Sequence, residues 1–202
     1  MNQQTSADQL PSSLAVRLVK LYRRMEAAYD IVARQLDFSC RACPDNCCDS
    51  YFLHHTRIEW AYLREGLAQL PPERQAHVMI QARDYQQRAK TALAAGIRPT
   101  IMCPLNEAGW CDLYQHRPMI CRLHGVPSSL RFPSGQVKKF PGCFRSQELT
   151  AGHPAIPMVE RASLLQELVM LEGLMPSGST SSGFTRLKVQ KSIAEMILEE
   201  LP

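Results

Sequence analysis

The sequence predicts a mainly α-helical protein in which helices flank an irregular, proline-rich cysteine-cluster metal-binding core with at most a small β-hairpin. Three observations predict it. Apolar residues recur at helical spacing towards both ends of the chain. Eight of the 14 prolines fall in the 59 residues from Pro99 to Pro157, where neither the helical nor the strand period persists. The eight cysteines all lie outside the stretches with helical periodicity.

The first helix is announced by Leu14, Leu18, Tyr22, Met25, Tyr29, Val32 and Leu36, spaced by threes and fours along one face. Ser12 or Ser13, after Pro11, can cap it. It is expected to end near Asp37 and to deliver the chain straight to Cys40. Thr56-Arg57-Ile58-Glu59 has the capping-box pattern and opens a second helix carrying Leu63, Leu67 and Leu70, which Pro71-Pro72 stops. Pro72 then fits the first turn of a third helix, through Val78, Ala82, Tyr85, Ala89 and Leu93 to Gly96. Within the proline-rich region, Leu130-Arg131-Phe132 and Val137 to Phe140 around Pro133-Ser134-Gly135-Gln136 read as a hairpin. Helical spacing resumes at Ala162, Leu165, Leu168, Val169 and Leu171. A Ser/Gly tract from Pro176 to Gly183 reads as a loop, and Phe184 to Leu201 as a closing amphipathic helix. The expected organisation is one domain over residues 1–202, with its cysteine core at about 38–146 and helical flanks at 12–37 and 157–201.

With 202 residues, 45% hydrophobic and 21% charged, the chain can bury a sizeable core, which excludes disorder. No apolar run approaches the roughly 18 to 20 residues of a membrane span, so no membrane partner is expected. Met1 to Ser6 lack the basic and apolar regions of a secretory signal, which makes the cytoplasm the expected location. In a reducing compartment, dense cysteines point to metal or redox chemistry rather than to disulfides. The formal charge of +4 carries no nucleic-acid inference, because it counts every thiol as neutral and thiolate metal sites would cancel it.

Four cysteines are packed into Cys40-Arg41-Ala42-Cys43-Pro44-Asp45-Asn46-Cys47-Cys48. Cys40 and Cys43 form a Cys-x2-Cys half site, in which both thiolates can face one ion while backbone N–H groups point at sulfur. If Cys47 and Cys48 lay in extended chain they would point to opposite sides, which suits a multi-iron cluster or two nearby ions better than one mononuclear ion. Cys103, Cys111, Cys121 and Cys143 lie in the region without periodicity, where metal bridging would supply the missing order. Against this stand two other readings: ordinary buried thiols, and a dithiol redox site at Cys40 and Cys43, which no βαβ pattern accompanies.

The first cluster, together with Cys103-Pro104-Leu105 and the run from Gly109 to Arg122, resembles the bacterial YkgJ-like cysteine-cluster family. Cys111, Tyr114, Arg117, Pro118, Cys121 and Arg122 match its Cys-x-x-Tyr-x-x-Arg-Pro-x-x-Cys-Arg core, and the resemblance spans roughly Ser39 to Arg145. One departure is the three residues between Cys43 and Cys47, where the family has two. The resemblance implies a zinc- or iron-chelating domain, with Cys40, Cys43, Cys47, Cys48, Cys103, Cys111, Cys121 and Cys143 as metal ligands. Iron is expected, as an iron–sulfur cluster of the 4Fe–4S type, with zinc as the alternative. It also extends to a flagellin lysine methylase branch, which makes a methylase-related enzyme or a cluster-dependent oxidoreductase a minor alternative. A zinc-stapled interaction module is the other.

From His116 to Gln147 there are six basic residues and no acidic one. Arg117 and Arg122 flank Cys121 and are expected beside the cofactor, offsetting thiolate charge, although a solvated basic face explains the same run. Only Phe132, Phe140 and Phe144 interleave it, so nucleic acid is not an expected partner. His54, His55 and His124 are further candidate ligands, for which eight thiols leave little need. Nucleotide-binding loops and the Gly-x-Ser-x-Gly and His-Glu-x-x-His motifs are missing, so no catalytic residue is named.

Overall fold

In the computed structural model, residues 10–40, 47–176 and 189–199 are described. Their elements in chain order are α1 (Ser12–Gln35), α2 (Arg57–Ala68), α3 (Pro72–Ala94), β1 (Asn106–Glu107), β2 (Trp110–Cys111), α4 (Met119–Leu123), β3 (Ser128–Arg131), β4 (Val137–Phe140), α5 (Phe144–Thr150), β5 (Val159–Glu160), α6 (Ala162–Glu172) and α7 (Ile193–Leu198). The protein is therefore mainly α, as its sequence predicts, with two small sheets where at most one hairpin was expected. The chain divides into two compact units, one of Ser13–Cys47 with Met119–Gly173, the other of Met1–Ser12, Cys48–Pro118 and Leu174–Pro202.

The unit built on α1 is organised by the apolar stripe of that helix, which buries Leu14, Leu18, Leu21, Tyr22, Met25, Val32 and Ala33. The helix stops where Asp37 takes the left-handed conformation, φ 49°. Phe38 then donates its N–H to the Ala33 carbonyl at 2.8 Å and Asp37 to that of Arg34 at 3.3 Å, the paired bonds of a Schellman ending. The expected hairpin is present as β3 and β4, with Ser128 opposite Phe140 and Arg131 opposite Val137. A third strand, β5, joins β3 in parallel, and α6 buries Leu164, Leu168 and Leu171. The short helices α4 and α5 lie in the region without periodicity and were not expected from the sequence.

In the second unit, α2 and α3 run as the sequence predicts. Their core joins Trp60, Leu63, Val78, Ala82 and Tyr85 to Leu105, Leu113 and Met196. Trp60 Nε1 donates to the Met196 carbonyl at 2.6 Å, tying α2 to α7. The expected capping box at Thr56 does not form: its hydroxyl donates to the Glu59 carboxylate at 2.8 Å rather than receiving a backbone N–H. A true capping box stands at Ser192 and Glu195, so the last helix begins at Ile193. Of the helix expected from Phe184, residues 184–188 lie outside the described ones, and Val189 to Ser192 are not helical because Lys191 pairs with His54 in an antiparallel bridge. The Ser/Gly tract, beyond Pro176, also lies outside the described residues. A second hairpin, β1 with β2, turns through Ala108 at φ 48° and Gly109 at φ 91°. Both positive angles belong to the tight turn whose twist suits paired strands.

Candidate metal centre

None of the seven described cysteines forms a disulfide, and Cys43 lies outside the described residues. Cys47 and Cys48 are not in extended chain. They sit in a 3₁₀ turn, Cys47–Asp49, where successive side chains project about 120° apart. The chain passes from one compact unit to the other between them.

In the unit built on α1, the thiols gather at Tyr29. Its hydroxyl lies 3.9 Å from Cys40 Sγ. Gly125 faces that hydroxyl so closely that a Cβ there would sit 2.5 Å from it. The Gly125 carbonyl in turn accepts the N–H of Cys143 at 3.0 Å. Burial raises the tyrosine pKa, and Cys40, Cys143 and Cys47 raise it further, which places all three thiols within electrostatic reach of one hydroxyl. Cys121 stands on α4, which ends two residues before Gly125. The next residue, Arg122, is fastened to α1: its guanidinium donates to Glu26 at 2.5 Å and lies 3.9 Å from the centre of the Tyr22 ring. Tyr22, Glu26 and Tyr29 follow one another at helical spacing, so one face of α1 carries both the arginine clamp and the thiol-facing hydroxyl.

In the second unit the backbone brings Cys48, Cys103 and Cys111 together. After the 3₁₀ turn the chain runs beside residues 100–103, with Cys103 donating its N–H to the Cys48 carbonyl at 3.0 Å and Ile101 to that of Asp49 at 3.1 Å. Asn106 closes a turn back to the Cys103 carbonyl at 2.9 Å, and in the β1–β2 hairpin Asn106 faces Cys111 directly. Burial pushes the Cys111 thiol up to about 11; the backbone N–H of Leu113 and the Arg117 guanidinium act the other way, and Cys48 adds to the rise. Arg117 itself donates to the Tyr114 carbonyl at 3.0 Å and lies over the Tyr114 ring. Of the two arginines expected beside the cofactor, Arg117 acts electrostatically on Cys111, and Arg122 is held by Glu26 and Tyr22.

The histidines have other surroundings. His54 is buried without a hydrogen-bond partner on Nδ1, and burial, with His55 nearby, pulls its pKa down to about 3. His55 Nδ1 lies 3.1 Å from the Val189 carbonyl, and His124 follows α4 half-buried. Tyr29 was read from the sequence only as a position on the apolar stripe of α1. The available signal was its place as the last aromatic residue of that stripe before Cys40.

Thiols in this number, outside disulfides, suit a thiophilic ion in their chemistry. Among the described residues, no three Cys, His, Asp or Glu side chains are already arranged around a single ion position. No helix among them is long and apolar enough to cross a membrane. Compared with known proteins, the chain matches no protein-family model, no curated protein and no solved structure.

Proposed function

We propose that this is a metal-binding protein whose cysteine thiolates hold an iron–sulfur cluster of the 4Fe–4S type, as its resemblance to the YkgJ-like family implies. The observation that carries the metal-binding reading is the gathering of thiols, without disulfides, at Tyr29 and along the Cys48 to Cys103 ladder. Cys40, Cys47, Cys121 and Cys143 in one unit, Cys48, Cys103 and Cys111 in the other, and Cys43, which lies outside the described residues, are the residues that would hold metal. When bound, an iron–sulfur cluster supplies electron storage and zinc a cross-link. The chain's own contribution is to keep the thiols in place and to set their charge: the Arg117 guanidinium favours the Cys111 thiolate, while burial of Cys111 keeps it protonated until a metal displaces the proton.

Zinc is the second reading, and one observation favours it. Cys47 and Cys48 diverge in a 3₁₀ turn, so neither has to share an ion with its neighbour. The test is metal and acid-labile sulfide analysis, with a visible spectrum, on protein purified without oxygen. Iron with matching sulfide and a brown colour supports the cluster; zinc without sulfide assigns the second reading. In either case Cys121→Ser lowers the metal content. Protein that binds neither metal overturns the proposal.

A further inference from the structure

We infer that the open edge of strand β4 is a docking site for an extended, acidic segment of a partner protein, which adds to the sheet as a further strand. Binding at this edge needs no metal, so its failure and a failure of the metal-binding reading are separate results.

The strands of this sheet lie in the order β4, β3, β5, so among the described residues nothing pairs with the outer side of β4. The turn before β4 decides which of its backbone groups face outward. Phe132 donates its N–H to the Gln136 carbonyl at 2.8 Å, and Gly135, at φ 84°, donates to the Phe132 carbonyl at 2.9 Å, which makes Phe132 and Gln136 a hydrogen-bonded pair. Hydrogen-bonded and non-hydrogen-bonded pairs alternate from there. Lys138 and Phe140 are therefore bonded to Leu130 and Ser128, while the N–H and C=O groups of Val137 and Lys139 turn to the open side.

Charge selects the occupant. Val137, Lys138 and Lys139 are exposed, as is Arg131 opposite Val137, and no acidic residue occurs from His116 to Gln147. Among the described residues neither lysine nor Arg131 takes part in an ion pair. A second copy of the chain is a poor occupant, because β4 against β4 brings lysines beside lysines. Nucleic acid answers the charge but has no row of amides and carbonyls to meet those of Val137 and Lys139. An extended acidic peptide answers both, and the exposed Val137 offers an apolar contact to the side chain placed across from it. The fitting segment thus alternates carboxylates with β-branched residues.

The probe is a capped synthetic peptide of sequence Glu-Val-Glu-Val-Glu-Val-Glu, added to the full chain and followed by fluorescence anisotropy and by NMR amide exchange. In the free protein the amides of Lys138 and Phe140 should exchange slowly and those of Val137 and Lys139 fast; the peptide should slow the latter two by about tenfold or more. Two N-methylated forms of the peptide, one methylated at the valines and one at the glutamates, keep its charge and block one or the other of its edges. One of them should bind about tenfold more weakly than the parent. Lys138→Glu together with Lys139→Glu, both at exposed positions, should weaken the parent by a similar factor, with an unchanged circular dichroism spectrum as the check on folding. Equal binding of both methylated forms and the parent would reduce the edge to a patch of charge and overturn strand addition. A single-stranded oligonucleotide of equal charge that binds more tightly than the peptide makes the basic run a nucleic-acid surface and overturns it too. No peptide binding at about 1 mM means that the lysines only keep the edge from pairing, which also overturns the inference.

Discussion

Replacing Gly142 by alanine tests how the fold holds Cys143 at the Tyr29 site. Gly142 has φ 86°, where an L-residue pays roughly 1–2 kcal/mol. A Cβ at this position would run into the carbonyl oxygen of Gly125, the same atom that accepts the N–H of Cys143, and would lie 2.8 Å from Ser146 Oγ and 2.9 Å from the Val126 carbonyl carbon. Two of these three atoms are backbone and cannot rotate away, so the crowding adds about 1–3 kcal/mol. The sum is about 2–5 kcal/mol, or a fall in Tm on the order of 5–15 °C for a chain of this size. Gly135→Ala is the control, because Gly135 has nearly the same angle, φ 84°, with nothing within 4 Å of an added Cβ. It should cost only the conformational part. Thermal unfolding of the three proteins, each with chelator and with zinc, measures the difference. Gly142→Ala should also weaken metal binding, since Cys143 moves with its neighbour. Equal Tm losses in the two variants would refute the claim that the close approach of Gly142 to Gly125 positions this cysteine.

Three further outcomes are expected. The unfolded chain protonates His54 below its ordinary pKa of about 6.5, whereas the folded chain resists until about 3, so stability should be level above pH 6.5 and fall as the pH drops below it. By pH 5 this one group accounts for about 2 kcal/mol, and denaturant midpoints should lose that much less in His54→Gln. Trp60→Phe leaves the Met196 carbonyl without its donor in the core, which should cost about 1–3 kcal/mol in chemical denaturation without changing metal content. Arg122→Gln breaks the bond to the partly exposed Glu26 and the stacking on Tyr22, for a loss of about 2–4 kcal/mol; an unchanged denaturation midpoint would show that the clamp contributes nothing.

The long elements were legible because their signals repeat. Seven apolar positions fix α1, and Pro71-Pro72 with Gly96 bracket α3. The elements that escaped are short. α4 has five residues and α5 seven, less than two full turns each, too few for a period to register. The start of α7 was overrun because apolar spacing from Val189 onwards masked the capping box at Ser192 and Glu195, which decides it. At the site, residue type announced the thiols but not their company. Whether Cys47 and Cys48 share an ion depends on the local backbone, a three-residue 3₁₀ turn that no periodicity announces. Tyr29 went unnoticed because an aromatic residue on an apolar helical stripe is, by pattern alone, a packing residue.

The hairpin that delivers Cys111 also holds Trp110, and this gives the protein an optical reporter of its own. The chain has two tryptophans: Trp60 is 1% exposed in the core, while Trp110 is 76% exposed beside the thiol. Their emission should therefore separate into a blue component from the interior and a red one from water-facing indole. A metal ion arriving at Cys111 lies one residue from the red emitter, so filling of that centre should change the red intensity and leave the blue component as a record of the fold. With Trp60→Phe the red signal stands alone, and any metal uptake at Cys111 can be followed by fluorescence without a label.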